Sequence, residues 1–165
     1  MKKKAYNTLV MERIVREIHK LLIKKRKTVA VAESCSGGLL STYLTSLSGS
    51  SWYFILGVIA YSNRSKSNIL KIPAQRIVKK GAVSAEVALQ MAQQVRKLAH
   101  TDFGIGITGI AGPTGGSIQK PIGTVFIAIA SKNNSFCKKF CFKGTRAVIR
   151  KQAAFKAIAL LKQRV

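Results

Sequence analysis

The apolar residues of this chain change period several times, and each change marks an element. Val10, Ile14, Ile18, Leu21 and Leu22 recur three or four apart, with Arg13, Arg16, Lys20 and Lys24 opposite them. That spacing predicts an amphipathic helix over residues 8–26. Val29 to Ala32 are apolar without a break, as in a buried strand. The helical period then returns at Leu39, Leu40, Tyr43, Leu44 and Leu47. Between strand and helix lies the polar turn Glu33-Ser-Cys-Ser-Gly-Gly38, which places Ser34, Cys35 and Ser36 at the sheet's edge.

Ser48-Gly-Ser-Ser51 ends this helix, and Trp52 to Tyr61 is aromatic and β-branched enough for a second strand. Tyr61-Ser-Asn-Arg-Ser-Lys66 leaves the sheet as a short polar segment. Pro73 opens a short helix at 73–80 that Gly81 stops. Ser84 caps the next helix, with Glu86 in its first turn and Val87, Met91, Val95 and Leu98 as its buried face, ending near His100. Asp102 to Ile107 is a third strand, followed by the glycine loop Thr108 to Ser117. Ile122 to Ala130 and Ser135 to Phe142 are strands joined by a Lys132-Asn-Asn turn. Arg146 to Arg164 is the closing helix, with Val148, Phe155, Ile158 and Leu161 facing in. Helices interleaved with strands, then a hairpin and a last helix, predict an α/β fold. It is a single-domain sandwich over residues 1–165, with a mixed sheet of about five strands, parallel at its start, flanked by helices.

Charge sharpens this picture. Lys and Arg number 29 against 5 Asp and Glu, a formal net charge of +24, which favours an anionic partner without naming one. The basic residues are scattered, and aromatics make up only 7%, which leaves little for base-stacking platforms. The acids are Glu12, Glu17, Glu33, Glu86 and Asp102, too few for two-metal or paired-carboxylate chemistry. Cys35, Cys137 and Cys141 form an odd set that reads as free thiols of a reducing compartment. Cys137 and Cys141 share a strand face suited to core packing, and with only His19 and His100 beside them they are a poor zinc set. Met1-Lys-Lys-Lys4 has the charge of a signal peptide's start but no apolar stretch follows, and Trp52 to Tyr61 is half a membrane span. A cytoplasmic protein without membrane contact is expected.

Two turns are candidates for chemistry. Gly37 and Gly38 let backbone amides approach a ligand at a helix start, where a nucleophile and an oxyanion hole can share one turn. An ordinary capped helix start has the same residues, since Ser is a favoured cap. Gly104-Ile-Gly-Ile-Thr-Gly109 matches a dinucleotide fingerprint literally, yet its first glycines lie inside a strand and no acid follows Asp102 to hold a ribose. The loop at 109–117 reads either as a backbone nest for phosphate or as a plain connection. His19 and His100 are badly placed for a serine triad, so a desolvated lysine is the better base. Cys35 would compete with Ser34 as nucleophile, but neighbours at a strand end point to opposite sides.

Five ordered blocks now carry a resemblance: Ala32-Glu-Ser-Cys-Ser-Gly-Gly38, Tyr61-Ser-Asn-Arg-Ser-Lys66, Gly81-Ala-Val-Ser84, Thr108-Gly-Ile-Ala-Gly-Pro-Thr-Gly-Gly116 and Lys120-Pro-Ile-Gly-Thr124. From about residue 8 to 163 the chain resembles the CinA carboxy-terminal domain family, in its short form. The resemblance implies a metal-independent and cofactor-free amidase that converts nicotinamide mononucleotide to nicotinate mononucleotide and ammonia. By the same resemblance Ser34 is the nucleophile, Lys66 the general base and Tyr61 the assisting hydroxyl, in a homo-oligomer of two or more copies. The candidate oxyanion and substrate-binding set is Glu33, Ser36, Gly37, Gly38, Thr108, Gly109, Gly112, Gly115, Gly116 and Arg146. Arg64-Ser65, Thr114 and Gly144-Thr145-Arg146 depart from the family's usual residues without removing a proposed catalytic group. The alternatives are a basic nucleic-acid-binding, competence-related protein and a catalytically silent nucleotide binder.

Overall fold

A computed structural model describes residues 2–165, and side chains from Leu9 onward, so Met1 and the Lys2 to Lys4 ammonium groups lie outside the described residues. In chain order the elements are α1 (Lys2–Lys24), β1 (Val29–Glu33), α2 (Leu39–Leu44), β2 (Phe54–Ile59) and α3 (Asn63–Asn68). They continue with α4 (Ala74–Lys80), α5 (Ala85–Ala99), β3 (Phe103–Gly109), β4 (Thr124–Ala130), β5 (Ser135–Cys141) and α6 (Arg146–Lys162).

The five strands form one sheet in the order β2-β1-β3-β4-β5. β1 runs parallel to both neighbours, in register from Val29 opposite Phe103 to Glu33 opposite Ile107 on the β3 side. β4 runs antiparallel to both β3 and β5, so the sheet is mixed and parallel at its start, as the element order implied.

Alternation along the strands separates two unlike faces. On one, Val29, Val31, Ile105, Ile107, Val125, Ile127 and Ile129 meet α1, α2 and α6 through Ile18, Leu22, Leu40, Leu44, Ile149 and Ile158. On the other, Ala30, Ala32, Ala128 and Ala130 sit under α5. There a Cβ on Gly104 would lie 2.1 Å from the Ala92 carbonyl oxygen, and one on Gly106 2.2 Å from that of Ala88. The glycines of the rejected fingerprint therefore let α5 press onto β3. Val87, Met91 and Val95 are fully buried beneath it, each stabilising the fold by about 1.5–3 kcal/mol.

Several expectations are corrected. Leu98 is 52% exposed, because the buried stripe of α5 steps by four through Val87, Met91 and Val95 and continues to Ala99. Val148 is 40% exposed, because the stripe of α6 runs through Ile149, Ala153 and Ala157, leaving Val148 over Gly144. Cys141 is exposed: β5 is an edge strand, and only Cys137 packs beside Ala88, Ala92 and Phe126. Trp52 belongs to a short 3-10 turn, Ser50–Trp52, ahead of β2. Among the described residues no helix is long and apolar enough to cross a membrane.

Candidate active site

The site lies at the carboxyl end of β1, where an α/β sheet collects ligands because neighbouring connections diverge. Ser34 follows the strand directly, and its N–H donates to the Ile107 carbonyl at 2.9 Å, which extends the ladder one residue past β1. The chain must then turn sharply. Gly37 and Gly38 take φ of 60° and 94°, in the left-handed region that disfavours side chains.

Two groups hold the turn. Glu33 is fully buried, and its carboxylate accepts from the amides of Gly38, Leu40 and Ser41 at 3.0, 3.1 and 2.8 Å. It also accepts from the Ser41 hydroxyl at 2.7 Å. α2 lacks a capping side chain at Gly38, so Glu33 performs that task from the strand end. From the other side, Arg150 Nε donates to the Ser36 carbonyl at 3.0 Å and Nη2 to that of Gly37 at 3.3 Å.

These bonds revise the expected oxyanion donors and substrate contacts. The Gly38 amide is committed to Glu33, and that of Gly37 donates to the Ser34 carbonyl at 3.1 Å. The amides of Cys35 and Ser36 find no acceptor among the described residues, so the free donors sit directly after Ser34. Ser36 is fully buried, with a hydroxyl that has no partner among the described residues. Glu33 faces inward, with its carboxylate taken up by the turn. Thr108 is 1% exposed and donates its hydroxyl to the Ala82 carbonyl at 2.8 Å, which ties β3 to the segment before α5 rather than presenting the group to a ligand.

Lys66 comes to Ser34 on α3, the helix that the polar segment conceals. Ser62 and Ser65 form a reciprocal capping box, with Ser65 N–H donating to Ser62 Oγ and Ser62 N–H to Ser65 Oγ, each at 3.0 Å. Glu or Gln usually fills the second position, so the signature is masked when serine takes it. The helix turns Lys66 inward, to 2% exposure. Its Nζ lies 3.1 Å from Ser34 Oγ, 2.9 Å from the Ala60 carbonyl oxygen and 3.4 Å from that of Tyr61. No carboxylate pairs with it among the described residues, and burial lowers its pKa from the ordinary 10.5.

Cys35, beside Ser34, belongs to the buried core cluster that also holds Ile149 and Ala111. Burial pushes its thiol up to about 12, which leaves it un-ionised near neutrality.

Tyr61 reaches Lys66 through its main-chain carbonyl, not its hydroxyl. That hydroxyl accepts from Arg146 Nη2 at 2.6 Å, while Arg146 Nη1 donates to the Gly112 carbonyl at 2.7 Å. Arg146, at the start of α6, thus ties the loop after β3 to the segment after β2. Gly109 ends β3, Gly112 is buried, and Gly115 and Gly116 are exposed in the loop beyond. The amides of Ala111, Gly112, Thr114, Gly115 and Gly116 have no acceptor among the described residues. Arg150 was missed by the sequence reading, although it follows Arg146 by one helical turn and so shares its face of α6. No three His, Cys, Asp or Glu side chains converge among the described residues.

This arrangement can be set beside known proteins. The model of the CinA C-terminal domain matches residues 11–165. A CinA-like protein of Geotalea daltonii is 46% identical over 143 residues, which cover 87% of this chain and 35% of that protein. A CinA-like protein of Leptospira biflexa is 44% identical over 161 residues, covering 97% and 39%. The chain spans a little over a third of the length of these relatives. Among solved structures, a competence/damage inducible protein from Agrobacterium tumefaciens superposes with a TM-score of 0.89 at 34% identity, covering 92% of this chain and 93% of that one. The competence damage-inducible protein A of Klebsiella pneumoniae gives 0.90 at 29% identity, covering 93% and 96%. On the family model, the relatives and the shared fold together, this chain belongs to the CinA C-terminal domain family.

Proposed function

We propose that the protein is an amidase in which Ser34 attacks the carboxamide of nicotinamide mononucleotide and Lys66 manages the proton. The carrying observation is the environment of Nζ. A neutral lysine amine has two N–H bonds and one lone pair. The carbonyls of Ala60 and Tyr61 accept those two protons, which leaves the lone pair for the Ser34 hydroxyl. Burial without a carboxylate partner favours that neutral form.

The steps balance without a metal or redox partner. Lys66 takes the Ser34 Oγ proton as Oγ bonds to the carboxamide carbon, and the carbonyl electrons move to oxygen. The amides of Cys35 and Ser36 are the donors available to that oxyanion. Collapse breaks the carbon–nitrogen bond, and the Lys66 ammonium returns its proton to the departing ammonia. Water then attacks the ester under the same base, releasing nicotinate mononucleotide and the free hydroxyl. Arg146 and the unpaired amides of the 111–116 loop offer positive potential for the phosphate. The resemblance to nicotinamide-nucleotide amidohydrolases supplies the substrate.

The test is ammonia release from nicotinamide mononucleotide by wild type and by Ser34→Ala. Turnover by the first and not the second supports the reading. If wild type releases none yet retards DNA with a steep salt dependence, the +24 charge serves nucleic acid and the amidase reading fails.

A further inference from the structure

Aromatic residues are few in this chain, yet the fold gathers three of its seven Phe on one face of one strand. β5 is an edge strand, hydrogen-bonded only to β4. Phe136, Phe140 and Phe142 fall at alternate positions, so they share a side, where they pack half-buried against the core cluster that α6 helps to build. The rings of Phe140 and Phe142 stack, with planes 8° apart and centroids separated by 5.4 Å. Lys138 stands in the same row, between Phe136 and Phe140, and is exposed. The Lys156 ammonium reaches from α6 to 5.5 Å from the Phe140 centroid, and the Arg164 guanidinium carbon lies 4.3 Å from that of Phe136.

No carboxylate neutralises this row. From Phe103 to Val165 every charged side chain is Lys or Arg. Lys138, Lys156 and Arg164 form no ion pair among the described residues. Glu17 is engaged by Arg13 and Lys162, and Glu86 by Lys80.

We propose that the β5 row is a binding surface for single-stranded nucleic acid, separate from whichever reaction the Ser34 turn performs. Unneutralised cations call for an anionic partner, and the rings between them select among anions. The bases of a single strand are free to stack on the phenylalanine rings and on the Arg164 guanidinium, while its phosphates meet Lys138 and Lys156. A cation over an exposed ring is held weakly, so an arriving base shifts the Lys156 ammonium toward a phosphate at small cost. A duplex keeps its base faces stacked inside and gains only the phosphate contacts. A membrane surface takes up apolar side chains that enter it, whereas these rings lie half-buried along the strand.

Fluorescence anisotropy tests this with a labelled short oligothymidylate, an abasic strand of the same length and a duplex. Wild type binds the oligothymidylate about tenfold more tightly than either of the others, the margin that one stacked base supplies. Equal affinity for all three, or binding to phosphatidylglycerol vesicles with none to the oligothymidylate, overturns the proposal. Phe140→Leu/Phe142→Leu, checked for an unchanged circular-dichroism spectrum, loses the preference for bases and keeps the salt dependence. Lys138→Gln does the reverse, weakening both single strands alike and lowering the slope of log affinity against log salt by about one. A leucine variant that still prefers bases, or a glutamine variant with an unchanged slope, contradicts the assignment to this row. The wild-type comparison decides by itself if the leucine variant fails to fold, and no readout involves Ser34 or Lys66.

Discussion

Two ionisable side chains, Glu33 and Lys66, are buried beside Ser34, and the protein surrounds them in opposite ways. Glu33 is enclosed by donors: three main-chain amides of the next turn and the Ser41 hydroxyl. Lys66 faces two main-chain carbonyls and the Ser34 hydroxyl, with no carboxylate paired to it among the described residues. The carboxylate's bonds are to the backbone it shapes, so it is part of the architecture. The amine's third contact is to a side chain that can react, and its burial works against its charge. A buried charge is thus read by its partners: backbone on every side means structure, whereas a reactive hydroxyl together with a displaced pKa means chemistry.

Substitutions separate these roles, and the largest effect is expected at Lys66. Lys66→Met should lower kcat with nicotinamide mononucleotide about a thousandfold, the range for loss of a positioned general base. Lys66→Arg should fall as far, because guanidinium keeps its proton, and a circular-dichroism spectrum like wild type would show that the fold survives. Retained turnover in either would remove lysine from the mechanism.

Glu33→Gln should reverse the pattern, harming stability before chemistry. The amide keeps one oxygen for the turn but sets an NH2 against backbone donors, at a cost of about 2 kcal/mol or more. Chemical denaturation should report that loss, and turnover should persist at temperatures where the variant stays folded.

A smaller effect concerns pH and stability. The pKa of Lys66 in the folded chain lies below its ordinary 10.5, so between those two values the unfolded chain binds more protons than the native one. Wild type should therefore gain stability relative to Lys66→Met as pH rises through that window, and lose it on acidification. Parallel urea titrations across alkaline pH measure the difference, and a slope of opposite sign would mean that the amine is stabilised as ammonium.

The smallest expected effect is at Cys35. Burial holds its thiol up to about 12, which disfavours the thiolate that a nucleophile requires. Cys35→Ala should cost about 1–2 kcal/mol of packing while leaving kcat near wild type. A collapse of turnover with intact fold would instead make it the nucleophile.

The same comparison explains what was legible in the sequence. Strands and long helices declared themselves by period, because their faces are buried whole; the sheet's two-sided core follows from Val29 to Ala32 alone. Ser34 was legible as a turn residue, and Cys35 as its opposite by alternation. Lys66 was one lysine among many until the resemblance singled it out, since α3 shows no apolar stripe and its capping box uses serine twice. The partners of Glu33 were hidden because a side chain capping a helix from the preceding strand leaves no fixed spacing. Which glycine amides are free likewise depends on three-dimensional competition for acceptors. Gly104 and Gly106 were recognised as unsuited to a nucleotide, but only the approach of α5 gives their use.

The pH dependence of kcat/KM for nicotinamide mononucleotide tests most directly whether a neutral Lys66 amine activates Ser34. A rate that climbs with pH to a plateau, its midpoint well below 10.5 and the limb lost in Lys66→Arg, is the predicted result. A flat profile, or an identical limb in the arginine variant, would contradict it.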